Sequence, residues 1–158
     1  MGIQQVKEHF TKFNMQDEIF EHNVSTATVQ EAADALGVIP ARIAKTLSFK
    51  VGETAILVVA AGDAKIDNAK FKAQYGTKAK MLTAEEVETF TGHQIGGVCP
   101  FGLAKPIDVF LDVSLKRFTT VFPACGTANS SVELTLEQLE QISGATSWVE
   151  VSKGWQEV

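Results

Sequence analysis

The chain is poor in the residues that build disulfide frameworks and metal clusters. Its 158 residues include only two cysteines and three histidines. Two cysteines form neither a disulfide network nor a four-ligand zinc site alone, and no two histidines stand at HxH or HxxxH spacing. We therefore expect no metal and no cofactor. A chain with so few thiols is typical of a reducing, cytoplasmic compartment.

Long apolar runs and linkers are also missing. The longest apolar run, residues 54–61, has the length of a strand and falls short of the ~18 residues of a membrane-spanning helix. The first ten residues lack the basic-then-apolar order of a signal peptide, so we expect no membrane association. Without repeats or Pro/Ser-rich linkers, and with 45% hydrophobic and 21% charged residues, one globular domain over 1–158 is predicted.

Positive charge is scarce overall but concentrated in one segment. The net charge is −5, which argues against tight, nonspecific DNA binding because such affinity comes from neutralising phosphates. Residues 1–44 carry net −3 and residues 81–158 carry net −6, whereas residues 45–80 hold seven lysines against three acids. This lysine block indicates either a local anionic partner or a solvated helix face.

Apolar spacing and capping residues predict short helices mixed with strands. The predicted helices are 3–13, one capped by Ser25-Thr26 and ending at Leu36, a short turn after Pro40, 68–75 capped by Asp67, 84–91 after a Thr83 capping box, and 136–142 after Thr135. The predicted strands are 19–22, 45–51, 54–61, 80–82, 107–112, 119–123, 132–134 and 148–149. Because no regular βαβ rhythm appears, we expect an α/β or α+β fold with a mixed, curved sheet.

The most unusual stretch is the glycine loop, residues 91–102, which holds four of the 12 glycines. Glycine lets a backbone approach a ligand closely. The loop lacks the lysine and hydroxyl residue of a phosphate-binding P-loop, and it is not a GxGxxG fingerprint. From composition alone, a structural turn and a binding loop are equally good interpretations.

Single residues leave further alternatives open. Lys45 begins an alternating strand and either lies at the lip of a pocket or ends the strand in solvent. His22 is either a pocket residue or a hydrogen-bonded structural histidine, and His9 is expected to be solvated. Cys99 and Cys125 would need a neighbouring base to act as nucleophiles, so buried thiols are the simpler interpretation.

Taken in order, several segments resemble the YbaK/EbsC family of aminoacyl-tRNA editing domains, which is also found inserted in bacterial prolyl-tRNA synthetases. The matching segments are Glu21-His22, 43–49, 96–102, 107–112, and Cys125-Gly126 with 132–134. The resemblance covers about residues 15–145, and the GxxxP motif of the family falls on Gly96 through Pro100. The chain departs from the family at Cys99, where Ser or Thr is common, and in residues 125–131, which lack basic residues.

The resemblance implies a mixed, partly open barrel-like sheet surrounded by helices, with one pocket. It also implies hydrolysis of the ester of a mischarged tRNA that carries a small amino acid such as Ala, Ser or Cys, on tRNA(Pro). The implied catalytic residues are Lys45 and Gly96. The implied substrate-binding residues are His22, Gly97, Val98, Cys99, Pro100, Phe101, Gly102, Asp112, Cys125 and Gly126.

The implied partners are a transiently bound tRNA acceptor end and an aminoacyl-tRNA synthetase, with the chain acting as a monomer or homodimer. Weak tRNA docking is assigned to Lys65, Lys70 and Lys72 in the lysine block. An ester is readily hydrolysed once it is positioned, so the reaction needs no thiol nucleophile. The alternative is a non-catalytic nucleic-acid or protein-binding module with the same fold.

Overall fold

The computed structural model describes residues 2–155 of the chain and is built on a six-stranded mixed sheet. The helices are α1 (Gly2–Thr11), α2 (Val29–Leu36), α3 (Asn68–Tyr75), α4 (Ala84–Thr91) and α5 (Leu136–Ser143). The strands are β1 (Phe20–Glu21), β2 (Ile43–Val51), β3 (Thr54–Ala61), β4 (Lys65–Ile66), β5 (Asp108–Asp112), β6 (Thr120–Pro123), β7 (Ser130–Ser131), β8 (Leu134–Thr135), β9 (Ser147–Val149) and β10 (Ser152–Lys153). Short 3-10 helices span Gln16–Glu18, Pro40–Arg42 and Val113–Arg117.

The large sheet has the strand order β8-β6-β2-β3-β5-β9. Its centre is the antiparallel hairpin β2–β3, which turns at Gly52 with φ of 63°. Parallel pairings join β2 to β6, β3 to β5 and β5 to β9. Two small sheets pair β1 with β7 and β4 with β10. The large sheet is curled into a half barrel, which confirms the expected mixed α/β fold.

Strand β3 is buried on both faces, which explains its continuous apolar run. Leu57 and Val59 face the largest hydrophobic cluster, which also contains residues of α1, α5 and the glycine loop. Ile56 and Val58, at the alternate positions, face a second cluster together with Phe71 of α3. The core therefore occupies both sides of the central hairpin.

Capping residues set the helix starts largely as predicted. Thr83 and Thr135 form capping boxes with the residue three positions further on, and Asp67 caps α3. The predicted cap of α2 at Ser25-Thr26 is wrong. Thr28 caps it instead, because Glu31 returns the hydrogen bond to the Thr28 backbone.

The structure differs from the prediction in segments whose sequence pattern is weak. The predicted strand 80–82 is reduced to one bridge between Met81 and Phe49. Of the predicted strand 132–134, only Leu134 lies in a strand, β8, and β7 precedes the predicted range. His9 is not simply solvated, since its Nε2 lies 2.6 Å from the Ile142 carbonyl oxygen. Within the described part of the chain, no helix is long and apolar enough to cross a membrane. The single domain over 1–158 stays a prediction, since residue 1 and residues 156–158 lie outside the described residues.

Candidate functional site

A cavity of about 290 Å³ lies along an open edge of β2. Strand β6 pairs with β2 only at Ile43 and Ala44, and the next contact on this edge is the bridge from Phe49 to Met81. The cavity lies beside the gap between these two contacts, where this edge of β2 has no pairing strand among the described residues. Its walls come from α2, the glycine loop and the ends of β6 and β7. The lining residues include Thr26, Val29, Lys45, Thr46, Ser48, Leu82, Val87, Gly96, Val98, Phe122, Ser130 and Ser131.

The main chain of Thr46 faces this gap. Beyond the gap, Lys50 N donates to Lys80 O at 2.8 Å, and Ser48 O accepts from Leu82 N at 3.2 Å. Main-chain groups of alternate residues point to the same edge of an antiparallel pair. The N–H and C=O of Thr46 therefore point toward the cavity, while those of its neighbours bond to β3.

The cavity wall also contains a buried hydroxyl without a partner. Among residues 2–155, Thr46 Oγ1 has no hydrogen-bond partner and is inaccessible. Leaving a hydroxyl buried and unpaired costs about 1–3 kcal/mol. Apolar side chains of Leu82, Val87 and Val98 stand nearby in the lining. The site is therefore a largely apolar cavity with few polar groups.

Lys45 lines the cavity and is held at its amino group by main-chain carbonyls. Lys45 Nζ donates to Gly62 O at 3.3 Å and also to Ala64 O. Burial lowers the pKa of Lys45, with a smaller contribution from Lys65, and Asp63 opposes both. An ammonium group has three N–H donors, and no third acceptor for Lys45 lies within the described residues. The chain therefore occupies two of the three N–H donors of Lys45.

The glycine loop contributes Ile95, Gly96 and Val98 to the cavity lining. Gly96 has φ of 95°, and a Cβ added there would lie 3.1 Å from Ala27 Cβ. Gly97 does not line the cavity and instead contacts the chain after β6. Its carbonyl oxygen accepts from Gly126 N at 3.0 Å, and a Cβ at Gly97 would lie 2.4 Å from Thr127 N. The predicted residues Gly97 and Gly126 thus hold the loop against the chain after β6.

The rest of the loop packs behind the cavity wall. Cys99, Phe101 and Cys125 are completely buried in the largest cluster, and Pro100 and Gly102 lie on a separate groove near α1. Burial raises the pKa of Cys99 to about 12 and raises that of Cys125 well above its ordinary value. These five residues were predicted to bind substrate, yet none lines the cavity. Three of them pack in the hydrophobic core, and the other two lie on the groove near α1.

His93, six residues before Cys99, is also buried. Its Nε2 lies 2.7 Å from the Phe101 carbonyl oxygen and 3.5 Å from Cys99 Sγ. Burial lowers the His93 pKa, which favours the neutral ring. The pair of His93 and Cys99 has no solvent access, and this geometry does not provide a thiol nucleophile with access to the cavity.

Asp112, predicted to bind substrate, requires a correction. Its carboxylate is completely buried and accepts from Ser114 N at 3.0 Å, Val151 N at 2.9 Å and Ser152 Oγ at 2.5 Å. These donors tie the end of β5 to the segment before β10. Asp112 is therefore a structural acceptor away from the cavity, because its lone pairs are occupied by the chain itself.

His22 is connected to the cavity wall by a hydrogen bond to a serine side chain. His22 Nε2 lies 2.6 Å from Ser131 Oγ, and Ser131 lines the cavity. The backbone of His22 is fixed by Asn129, whose O accepts from His22 N at 2.6 Å and whose Nδ2 donates to His22 O at 3.1 Å. The ring of Phe20 stacks on the imidazole with centroids 6.4 Å apart.

The predicted docking lysines lie outside the cavity lining. Lys65 is in β4, where it is paired with Lys153 of β10. Lys70 and Lys72 are exposed on α3, and Lys70 Nζ donates to Ser152 O at 3.0 Å. Lys65 is close enough to Lys45 to lower its pKa, so the lysine block approaches the site at this point.

Sequence reasoning missed most of the apolar lining. Val29 of α2 and Val87 of α4 occupy ordinary amphipathic positions, which gave no signal of a ligand. Met81 and Ile95 at the cavity are 58% and 62% exposed. Large exposed apolar side chains beside a cavity are a signal of a binding surface, but exposure is not readable from sequence. Within residues 2–155, no group of three or more His, Cys, Asp or Glu side chains could hold a metal ion.

Comparison with known proteins decides the family. A family model described as the aminoacyl-tRNA editing domain matches residues 23–142. The chain belongs to the aminoacyl-tRNA editing domain family. The resemblance deduced from the glycine loop and the Lys45 strand is thereby confirmed.

Relatives of this editing domain are both short and long proteins. The chain is 53% identical to the uncharacterised protein YwhH of Bacillus subtilis over 99% of this chain and 100% of YwhH. It is 32% identical to a proline–tRNA ligase of Bacillus licheniformis over 60% of this chain, and 32% identical to one of Caldicellulosiruptor bescii over 63%. In both ligases the match spans only 17% of the ligase.

Solved structures share the architecture. A crystal structure described as a candidate trans-editing enzyme for prolyl tRNA synthetase is 29% identical, with a TM-score of 0.87 over 97% of this chain and 98% of that one. The structure of a hypothetical protein is 28% identical, with a TM-score of 0.78 over 90% of this chain and 99% of that one.

Proposed function

We propose that the chain is a trans-acting deacylase, a hydrolase that cleaves the ester between a mischarged amino acid and the 3′ end of its tRNA. The observation that carries this proposal is Lys45, held at the cavity with two of its three N–H donors occupied by main-chain carbonyls. The editing-domain family supports the reaction class. The likeness to the solved structure described as a candidate trans-editing enzyme for prolyl tRNA synthetase supports action in trans.

Positioning is the main catalytic contribution in this proposal. The ester lies along the open edge of β2, where the main chain of Thr46 supplies a donor and an acceptor. Gly96 leaves room for the carbonyl to approach the loop backbone. Lys45 donates its third N–H to the ester region or to the terminal ribose, which stabilises negative charge as water adds.

The amino acid is a small one, such as Ala, Ser or Cys. A volume of about 290 Å³ corresponds to on the order of ten water molecules at liquid density. This space accommodates a small aminoacyl group at the terminal ribose. The prolyl-tRNA ligase relatives and the trans-editing neighbour favour tRNA(Pro) as the carrier.

The tRNA acceptor end docks transiently on the lysine block, at Lys65, Lys70 and Lys72. Weak docking is consistent with a net charge of −5, since phosphate contacts dominate affinity for nucleic acids. A synthetase that produces the mischarged tRNA is the proposed partner. The proposed compartment is the cytoplasm, and the chain acts as a monomer or homodimer.

The test is deacylation of a substrate panel on one tRNA. Ala-, Ser- and Cys-tRNA(Pro) are compared with correctly charged Pro-tRNA(Pro), and then with the same amino acids on other tRNAs. The expected result is faster loss of at least one mischarged ester than in buffer alone. No acceleration for any substrate contradicts the proposal. Salt-sensitive tRNA binding without deacylation would favour the non-catalytic module instead.

A further inference from the structure

We propose that His22 is the general base of the site and that it acts through the hydroxyl of Ser131. This inference rests on the proposed deacylase function. In the proposed geometry, Ser131 Oγ donates to His22 Nε2 across 2.6 Å, while the same Oγ belongs to a residue of the cavity wall. A base must lie within hydrogen-bond reach of the proton that it removes, directly or through one intermediary.

The cavity offers few other proton acceptors. Its lining residues include no Asp, Glu, His or Cys, and Lys45 is the one charged side chain among them. Lys45 gives two of its N–H groups to the carbonyls of Gly62 and Ala64, which is the behaviour of a donor. The His22 imidazole, which is hydrogen-bonded to Ser131 of the cavity wall, is therefore a group suited to accept a proton.

The histidine is held in position before any substrate arrives. Its main-chain N–H and C=O both bond to Asn129, and Phe20 stacks on its ring. Ser131 is fixed as well, since β7 pairs with β1 and Ser131 bridges Ala124. A pair anchored on both sides needs little rearrangement to act.

The proton transfer balances as ordinary ester hydrolysis. Water attacks the ester carbonyl carbon and passes a proton to Ser131 Oγ, whose own proton moves to His22 Nε2. When the tetrahedral intermediate collapses, the C–O bond to the tRNA ribose breaks. The proton returns from His22 through Ser131 to the leaving ribose oxygen. The products are the free amino acid and a tRNA with its 3′ end restored.

Steady-state deacylation by His22→Gln and Ser131→Ala tests the proposal. Each change is expected to lower kcat by about 100-fold or more with little change in KM. The double variant is expected to be no slower than the slower single variant, because the two residues act as one unit. His9→Gln is the matched control, since His9 is also partly buried and bonded to a carbonyl but lies outside the cavity.

The pH–rate profile separates catalysis from a structural role. A neutral imidazole accepts the proton, so the wild-type rate is expected to fall on the acid side, and this acid limb is expected to disappear in His22→Gln. An unchanged limb, or a kcat within about threefold of wild type, would overturn the proposal. So would an acyl-enzyme trapped on Ser131 by rapid quenching, which would make the serine a nucleophile.

The experiment distinguishes failure of the proposed deacylase function from failure of the proposed role of His22. A wild-type chain that deacylates no substrate removes the proposed function, and the inference falls with it. A wild-type chain that is active and insensitive to His22→Gln removes only the inference. Thermal unfolding of each variant accompanies the kinetics. If His22→Gln unfolds, Ser131→Ala carries the test, and a full rate in Ser131→Ala overturns the proposal.

Discussion

Arg117 holds Asp63 through two parallel hydrogen bonds, from Nη1 to Oδ2 at 2.9 Å and from Nη2 to Oδ1 at 2.6 Å. The arginine side chain is 7% exposed and the aspartate 34% exposed. Asp63 lies between Gly62 and Ala64, whose carbonyls bind the amino group of Lys45. The ion pair therefore fixes the turn that holds the amino group of Lys45 at the cavity.

This ion pair predicts an acid sensitivity. The hydrogen bond from Arg117 holds the pKa of Asp63 below its ordinary value of 3.8. The pair therefore contributes stability above pH ~4, and this stability is lost as the pH falls through the folded-state pKa. Asp63→Asn is expected to unfold more readily at pH 7 and to show a smaller further loss below pH 4. Urea unfolding at several pH values measures this, and an equal loss in both chains would contradict the account.

The tight contact at Gly97 predicts a strong effect of one methyl group. Gly97→Ala places a Cβ 2.4 Å from Thr127 N, which we expect to destabilise the fold by about 3 kcal/mol. Gly144→Ala is the control, because its φ is 65° but nothing lies within 4 Å of the new Cβ. That change is expected to cost about 1 kcal/mol. Equal urea midpoints for the two variants would contradict the packing role of Gly97.

The thiols predict a chain that is insensitive to alkylation. Burial raises the pKa of Cys99 to about 12 and raises that of Cys125, so the reactive thiolate is rare in the folded state. Iodoacetamide at pH 8 is expected to modify both residues only after unfolding. Cys99→Ala and Cys125→Ala are expected to keep deacylase activity. Rapid modification of the folded chain with loss of activity would instead favour catalysis by a thiol nucleophile.

The lysine block predicts a salt-sensitive docking defect. Lys70→Glu combined with Lys72→Glu is expected to raise KM for charged tRNA about tenfold, to leave kcat unchanged and to reduce the dependence on salt. Lys12→Glu with Lys105→Glu makes the same charge change at a separate groove and is expected to leave KM close to wild type. Equal deacylation by the two double variants would indicate that the lysine block is an ordinary solvated surface with no role in docking.

Local features of the fold were predictable from sequence. The hairpin β2–β3 follows from alternation and a glycine turn, and the capping boxes at Thr83 and Thr135 follow from spacings of three residues. The pairings β4–β10 and β1–β7 were not predictable, because each joins two-residue segments more than 80 positions apart. Such short strands carry no periodicity.

The candidate site was predictable where the resemblance pointed to it, at Lys45, Gly96 and Val98. Its other members depend on distant contacts. His22 and Ser131 are 109 residues apart, and the open edge of β2 exists only because β6 stops pairing at Ala44. Asp112 illustrates the opposite case, since the resemblance implied substrate binding there, whereas its carboxylate accepts from Val151 N and Ser152 Oγ.

The most direct test of the account is the single-turnover rate of mischarged tRNA hydrolysis by wild type, Lys45→Ala and Lys50→Ala. Lys50 lies on the same strand but pairs with Glu86 at 3.6 Å, outside the cavity lining. We expect a loss of at least about 100-fold in Lys45→Ala and a near wild-type rate in Lys50→Ala. Equal rates in Lys45→Ala and wild type would contradict it.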